Sequence, residues 1–316
     1  MIQQKKWIIQ APSIVDFYNI YYRKEDDFVK VYISNYLSRS ISILDYSTLE
    51  FEREIELDEN IYPHNFCIDK KEQLAYIPSS LDGQLYIIDL CTGDVIDYIS
   101  IGGNLTNIIL LDNELFISNE DSNSIYVLDS NTSNPIGVIG VDNMPHGFDI
   151  DYVNNKLYVA CINSIICIDT INKSVCKKID TDFKAWHIKL DKNKKQIYVS
   201  TIDGKVVVID EESLNIIKII DKFLLPVQIC FNYESKKIYV ADMGYKKIII
   251  LDYDNDEIVD FIDINGEPQG LYISHDYKLL FISDTKNNSI KIYNTSDNTL
   301  IKSIKVGKEP TTILCV

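Results

Sequence analysis

Seven copies of one phrase, four short apolar runs in each copy and the absence of any long run with helical periodicity predict an all-β fold. We expect a seven-bladed β-propeller with four antiparallel strands in each blade. The phrase is an aromatic residue, a β-branched residue and then small or polar residues. It begins at Tyr32, Tyr76, Phe116, Tyr158, Tyr198, Tyr239 and Phe281. The spacings between these positions, 40 to 44 residues, are typical of successive propeller blades.

Each copy contains four strand signals, which are clearest in the sixth copy. Valine, isoleucine and tyrosine dominate its apolar runs, and turn-forming residues separate them. The runs are Val227–Phe231, Lys237–Ala241, Lys247–Leu251 and Glu257–Ile262. A run such as Val206–Ile209 is apolar throughout instead of alternating, which is expected where both faces of a blade pack against neighbouring blades.

A second phrase ends the third run of each copy with a carboxylate or an amide. These residues are Asp45, Asp89, Asp129, Asp169, Asp210, Asp252 and Asn294. An aspartate side chain accepts hydrogen bonds from backbone N–H groups shortly after it, which starts a tight turn. Because such a residue recurs in every copy, we expect a structural turn here in preference to metal binding or acid–base chemistry.

The aromatic phrase, the Asp-terminated phrase and a Gly-x-x-Pro connector resemble the YVTN-type repeats of seven-bladed β-propellers. The connector stands as Gly266-Glu267-Pro268 and as Gly307-Lys308-Glu309-Pro310. The resemblance covers roughly residues 28 to 316 and implies the propeller fold without implying an activity. The sequence departs from the pattern at Asn104, where the connector proline is missing, and no Trp-Asp pair closes a blade as in WD repeats.

The two ends of the chain determine how the ring closes. The first copy begins at its second strand, near residues 28–35, and residues 310–316 match the first strand of a repeat. We therefore expect the C-terminal strand to pair into blade one, and the alternative is an inner strand from residues 11–17. We assign residues 28–316 to the propeller domain. Residues 1–27 form an aromatic-rich segment that we expect to pack on the ring, with docking of a partner as the alternative.

The charge balance narrows the choice of partners. The chain has 31 basic and 47 acidic residues, a net charge of −16, so we expect it to bind neither nucleic acid nor an anionic membrane. A protein or peptide partner, and a basic one in preference, suits this charge better. The seven cysteines include no C-x-x-C pair and the N-terminus has no signal peptide, so we expect a reduced, cytoplasmic protein.

The starts of the inner strands predict where a site would lie. In a propeller these strands begin at one face beside the central channel, together with the loops between the second and third strands; we call this face the channel mouth. Concave places with converging polar groups are the default binding sites. There we expect His64, Thr106, His146, Trp186 and Gln269 from the inner strands, and Tyr36, Asp82, Glu120, Asp203, Asp242, Tyr245 and Asp284 from the loops. His187 and His275 fall out of register with the repeat, and no role is expected for them.

No catalytic motif accompanies these residues. The sequence lacks a nucleophile elbow, a Walker loop and the Cys/His spacing of a zinc site. The first expectation is therefore a non-enzymatic scaffold that binds a protein or peptide through an acidic, tyrosine-rich channel mouth, with no catalytic residue, metal or cofactor. One alternative is a metal-dependent, lactonase-like or lyase-like enzyme, by analogy of fold, with His64, His146, Asp203, Asp242 and Asp284 as candidates. The other alternative binds a small ligand without turnover.

Overall fold

The computed structural model describes residues 29–316, and this part of the chain contains 28 β-strands and no helix. The strands form seven antiparallel sheets of four strands, and each sheet is one blade. The expected all-β, seven-bladed β-propeller is thereby confirmed. Nothing in the described residues is a helix long and apolar enough to span a membrane. The expectations for residues 1–27 concern a segment outside the described residues.

The first four blades are built from consecutive strands, apart from the inner strand of blade one. Blade one contains β28 (Pro310–Cys315), β1 (Lys30–Asn35), β2 (Ser40–Asp45) and β3 (Glu50–Glu56). Blade two contains β4 (Cys67–Asp69), β5 (Leu74–Pro78), β6 (Gln84–Asp89) and β7 (Val95–Ser100). Blade three contains β8 (Leu105–Leu111), β9 (Glu114–Asn119), β10 (Ser124–Asp129) and β11 (Pro135–Gly140). Blade four contains β12 (Phe148–Asp151), β13 (Lys156–Cys161), β14 (Ser164–Asp169) and β15 (Ser174–Asp180).

The last three blades repeat the same order from the channel outwards. Blade five contains β16 (Ala185–Asp191), β17 (Gln196–Thr201), β18 (Val206–Asp210) and β19 (Ile216–Ile220). Blade six contains β20 (Pro226–Asn232), β21 (Lys237–Asp242), β22 (Lys247–Asp252) and β23 (Ile258–Asp263). Blade seven contains β24 (Pro268–Ile273), β25 (Leu279–Asp284), β26 (Ser289–Asn294) and β27 (Leu300–Lys305).

The C-terminal strand closes the ring. Strand β28 pairs antiparallel with β1, with Tyr32 opposite Leu314. Backbone hydrogen bonds of 2.9 and 3.1 Å join Lys30 and Val316 in both directions. The expected C-terminal closure is confirmed, and it covers the inner edge of β1 with the fourth strand of blade one.

The aromatic residue of the repeat lies on the second strand of each blade and packs between blades. Tyr76, Tyr198 and Tyr239 are among the largest fully buried side chains. The hydroxyl of Tyr198 donates to a carboxylate oxygen of Asp256 on the next blade at 2.6 Å, so its polar end is satisfied. Burying a large apolar side chain is worth roughly 1.5–3 kcal/mol, so one such residue in each copy stabilises the whole ring.

The Asp-terminated phrase forms turns, as the repeat indicates. Oδ1 of Asp89 accepts the backbone N–H groups of Cys91 and Thr92 at 2.7 and 2.9 Å. Asp45 binds the turn after it in the same way, and hydrogen bonds from Ser47 and Thr48 lower the pKa of its carboxyl to about 2. These aspartates are committed to the turns between the third and fourth strands, which confirms their structural role.

Candidate functional site

The inner strands of all seven blades surround a cavity of about 490 Å³ on the axis of the ring. Along β16, His187, Ile188 and Lys189 all line the cavity, and Ile188 also belongs to the core cluster between blades four and five. The lining residues follow those of the channel mouth along each strand, and the cavity therefore continues the mouth inwards.

A β-bulge at the start of β16 brings two consecutive side chains to the channel mouth. The pairing with β17 shifts register between Ala185 and His187, which makes Trp186 the extra residue. Trp186 stacks on the ring of His146 with centroids 3.6 Å apart, and His187 meets the same ring edge-on at 5.0 Å. Register along the repeat gives His187 no role, whereas the structure places it against His146 and on the cavity wall, at the position that Asn65, Asn107 and Gln228 occupy in other blades.

Glu120 and His146 form a hydrogen-bonded pair, which we call the dyad. Nδ1 of His146 lies 2.7 Å from Oε1 of Glu120. The other carboxylate oxygen accepts a hydrogen bond from Nδ2 of Asn104 at 2.7 Å. The dyad is therefore held from two sides, by Asn104 at the carboxylate and by the stacked indole of Trp186 at the imidazole. Nε2 of His146 has no hydrogen-bond partner within residues 29–316, so it is the nitrogen left for a ligand.

Burial determines the protonation state of the dyad. It raises the pKa of Glu120 to about 6, helped by the nearby Asp121 carboxylate, and it lowers the pKa of His146 to about 3. At neutral pH the carboxylate is ionised and the imidazole is uncharged. Because a carboxylate only accepts hydrogen bonds, the ring hydrogen of His146 lies on Nδ1, and Nε2 carries a lone pair. An imidazole in this state acts as a base.

His64 occupies the equivalent position in blade two but is held at both ring nitrogens. The side-chain amide of Asn65 contacts its Nδ1 at 3.2 Å, and the side-chain amide of Gln269 contacts its Nε2 at 3.0 Å. One ring nitrogen accepts a hydrogen bond from an amide NH₂ group, and the other carries the ring hydrogen and donates it to an amide oxygen. The backbone oxygen of His64 accepts the hydroxyls of Thr311 and Thr312 at 2.7 and 2.9 Å. These contacts join blades one, two and seven. His64 and Gln269 thus connect blades, and His64 has no ring nitrogen left for a ligand.

Tyr36 and Thr106 complete the part of the channel mouth around the two histidines. The ring of Tyr36 packs edge-on against His64 with centroids 6.0 Å apart. Thr106 donates a hydrogen bond of 3.3 Å to the backbone oxygen of Pro145, the residue before His146. Thr106 therefore ties blade three to the segment that carries the dyad.

The aspartates expected at the channel mouth are engaged by their own loops. Asp242 accepts the backbone N–H groups of Leu224 and Leu225 at 2.8 and 3.1 Å, in the connector that leads from blade five. Asp284 accepts the backbone N–H of Glu267 at 3.0 Å and forms an ion pair with Lys291 at 2.8 Å. Asp203 accepts the backbone N–H of Lys184 at 3.2 Å and forms an ion pair with Lys205 at 2.9 Å. Asp82 accepts a hydrogen bond from the hydroxyl of Tyr86 at 2.6 Å. Tyr245 is exposed on the loop after Asp242. These carboxylates fasten loops and connectors.

The residues considered for a metal-dependent enzyme do not assemble into a metal site. Within residues 29–316 no group of three or more His, Cys, Asp or Glu side chains is placed to hold a metal ion. The physical reason lies in their partners, because both ring nitrogens of His64 are occupied and the aspartates accept backbone and lysine donors. The donor set therefore does not fit a metal, and the dyad is the chemically available group.

Below the channel mouth, the cavity presents hydrogen-bond donors. The side-chain oxygens of Asn107 and Gln228 each accept a backbone N–H at 2.8 Å, which fixes the orientation of both amides. Their NH₂ groups have no hydrogen-bond partner within the described residues, and both residues line the cavity. Lys189 adds an ammonium group that pairs with Asp149 at 3.1 Å, and this carboxylate raises the pKa of Lys189. A ligand rich in acceptor oxygens matches these donors.

The same fold occurs in several solved structures. A putative 6-phosphogluconolactonase from Bacteroides fragilis is 17% identical with a TM-score of 0.75, covering 93% of this chain and 99% of that chain. Another from Bacteroides uniformis is 14% identical with a TM-score of 0.75, covering 92% and 100%. Hydrazine synthase from Kuenenia stuttgartiensis is 16% identical with a TM-score of 0.65, covering 81% and 90%. No protein-family model matches the chain, and no curated protein matches it in sequence.

These comparisons correct the first expectation about function. The three structures are named as an enzyme or as putative enzymes, which contradicts a non-enzymatic scaffold and favours the alternatives that use the channel mouth. Identities of 14 to 17% show the fold alone. An activity for this chain therefore rests on its own side chains, above all on the dyad.

Proposed function

We propose that the protein is an enzyme that performs acid–base chemistry on a small, acceptor-rich molecule held between the channel mouth and the cavity. The dyad is the observation that carries this proposal. His146 is uncharged at neutral pH, is oriented by Glu120 and Trp186, and keeps Nε2 available. A base positioned by a second group, with strongly shifted pKa values, is typical of an active site.

Ester hydrolysis is the reaction that these groups fit. Nε2 of His146 takes a proton from water while the water oxygen bonds to the carbonyl carbon of the substrate. The Glu120 carboxylate stabilises the protonated ring, which then returns the proton to the alkoxide released when the C–O bond breaks. Donors from Asn107, Gln228 and Lys189 bind the acceptor oxygens of the substrate and place it over the cavity.

A lactone is the first substrate class to test. Two similar structures are named putative 6-phosphogluconolactonases, and ring opening consumes one water and needs only a base that later acts as an acid. The repeated phrases also lead us to propose that the chain belongs with the YVTN-type repeat propellers.

The test is acid release from 6-phosphogluconolactone and from gluconolactone, compared in the wild type and two variants. We expect His146→Gln to lower kcat/KM at least ~100-fold, since a positioned base contributes roughly that much or more. His64→Gln is the matched control and should retain most of the activity, because His64 is bonded within the ring of blades. A rise in melting temperature with either compound but no hydrolysis would support a ligand-binding protein and overturn the enzyme. If neither compound is hydrolysed and neither raises the melting temperature, the protein neither hydrolyses nor binds these lactones, and both proposals are overturned.

A further inference from the structure

Two thiols lie in contact on the outer half of blade four. Sγ of Cys176 on β15 lies 3.1 Å from Sγ of Cys167 on β14, and it lies 3.2 Å from the backbone oxygen of Cys167. Both cysteines are free thiols. No other pair of cysteines within residues 29–316 is in hydrogen-bonding contact. This pair is not part of the candidate site around the dyad, since neither cysteine lines the cavity.

The contact follows from an irregularity in the hairpin that carries both cysteines. Cys167 pairs with Lys177 and Ile168 pairs with Val175, so Cys176 is the extra residue of a β-bulge. The bulge turns Cys176 towards Cys167, although neither is the other's register partner. A disulfide needs its sulfur atoms about 2.05 Å apart, so bond formation requires an approach of about 1 Å. Neighbouring strands of a hairpin place Cα atoms within the range that disulfides span.

The two thiols differ in access to solvent. Cys176 is exposed, whereas Cys167 is buried in the core cluster that joins blades four and five. Burial raises the pKa of Cys167 to about 12, and this residue therefore stays a thiol at neutral pH. Cys176 is thus placed to meet an oxidant and Cys167 to resolve the product.

We propose that Cys167 and Cys176 form a reversible intrachain disulfide when the protein meets a peroxide. The sulfur of Cys176 attacks one oxygen of hydrogen peroxide, the O–O bond breaks, and a sulfenic acid and water are formed. The sulfur of Cys167 then attacks the sulfenic sulfur and a second water leaves. Two thiols and one peroxide give one disulfide and two waters, and the peroxide is the species reduced. A thiol reductant reverses the step.

The test uses the full chain carrying Cys91→Ser, because Cys91 is the other exposed cysteine and would react separately. Removing Cys91 from the seven cysteines leaves six thiols. After hydrogen peroxide and removal of excess oxidant, we expect thiol titration in denaturant to fall from six to four. Dithiothreitol should restore six. Intact mass should drop by two hydrogen atoms, and peptide mapping should find residues 167 and 176 linked.

Two further variants keep the outcome interpretable. In the same background, Cys176→Ser should lose no thiol, and because Cys176 is exposed this variant is expected to fold. Cys167→Ala should leave Cys176 as a sulfenic acid that gains oxygen in mass. An unchanged count of six thiols, a gain of oxygen in place of hydrogen loss, or disulfide-linked dimers would each overturn the proposal. The experiment does not depend on the proposed lactone chemistry.

Discussion

His64 and His146 occupy the same position of the repeat, yet their neighbours give them different chemistry. Amide groups hold both nitrogens of His64, whereas only Nδ1 of His146 is held, by the Glu120 carboxylate. The sequence shows two equivalent histidines and cannot show this difference, because the partners come from other blades. Glu120 lies 26 residues before His146 and becomes its partner only when blades three and four pack together.

Protonation of Glu120 should reverse the role of His146. Since the pKa of Glu120 is raised to about 6, this carboxyl gains its proton as pH falls through that value. Asn104 donates to Oε2, so the proton goes to Oε1 and is donated to Nδ1, which moves the ring hydrogen to Nε2. We expect ¹⁵N NMR of the His146 ring to report this tautomer change with a midpoint near pH 6, without formation of an imidazolium. A ring that instead becomes doubly protonated there would contradict the assignment.

Catalysis should follow the same transition. The base is present above the pKa of Glu120 and is lost below it, so activity should rise with pH through about 6. In Glu120→Gln the amide no longer titrates, and we expect this step to disappear from the pH profile while some activity remains. Measuring kcat/KM from pH 5 to 8 in both proteins checks this, and an unshifted step in Glu120→Gln would assign it to another group.

Gly147, the residue just before β12, lies in close contact with the start of strand β16. A Cβ on Gly147 would lie 2.7 Å from the Cα of His187 and 2.7 Å from the backbone oxygen of Trp186, closer than real Cβ atoms approach. Gly147 also donates its N–H to that oxygen at 2.9 Å. The stack of His146 on Trp186 therefore depends on glycine at position 147.

We expect Gly147→Ala to push β16 away from β12 and to lower the free energy of unfolding by about 1–3 kcal/mol, as overpacking does. Gly140→Ala is the matched control, because a Cβ there meets no atom within 4 Å. Urea unfolding measures the difference. With Trp7→Phe as background, Trp186 is the only tryptophan left of the two, and its fluorescence should change in Gly147→Ala alone. Equal stability of the two alanine variants would contradict this close packing.

The repeat period makes the fold of the whole ring predictable from the sequence. Seven aromatic phrases fix the number of blades, and the match of residues 310–316 to a first strand fixes the closure that β28 makes. The site was less predictable for two physical reasons. His187 lies one residue beyond the position that the repeat marks, and it lines the cavity and touches His146. Asp242 accepts hydrogen bonds from a connector whose contacts a repeat pattern does not show. The sequence repeat predicts where each residue lies along the backbone, whereas its hydrogen-bond partners are determined by how the blades and connectors pack together.

The buried histidines near the axis of the ring also predict how the stability of the protein depends on pH. Burial lowers the pKa of His64, lowers that of His146 to about 3 and lowers that of His187 well below its usual value. Below pH 6.5 these histidines bind protons in the unfolded chain but stay uncharged in the folded ring. Because the unfolded state binds more protons, the free energy of unfolding falls as pH drops from about 6.5 towards 3. Each such histidine contributes up to about 1.4 kcal/mol for each pH unit in this window. Glu120, Glu211 and Glu309, whose pKa values are raised by burial, act in the opposite sense just above their usual value, whereas the effect of the histidines extends over the whole window.

We expect urea unfolding to show this loss between pH 7 and pH 5, before the turn aspartates are protonated. The lowered pKa of Asp45 and of Asp169, each about 2, places their loss of stabilisation below pH 4. The double variant His146→Gln, His187→Gln should lose clearly less stability than the wild type over the same pH range, because glutamine does not titrate. The exposed His275→Gln serves as control and should keep the wild-type dependence. If the double variant and the wild type lose stability equally, the acid response does not come from the axis of the ring.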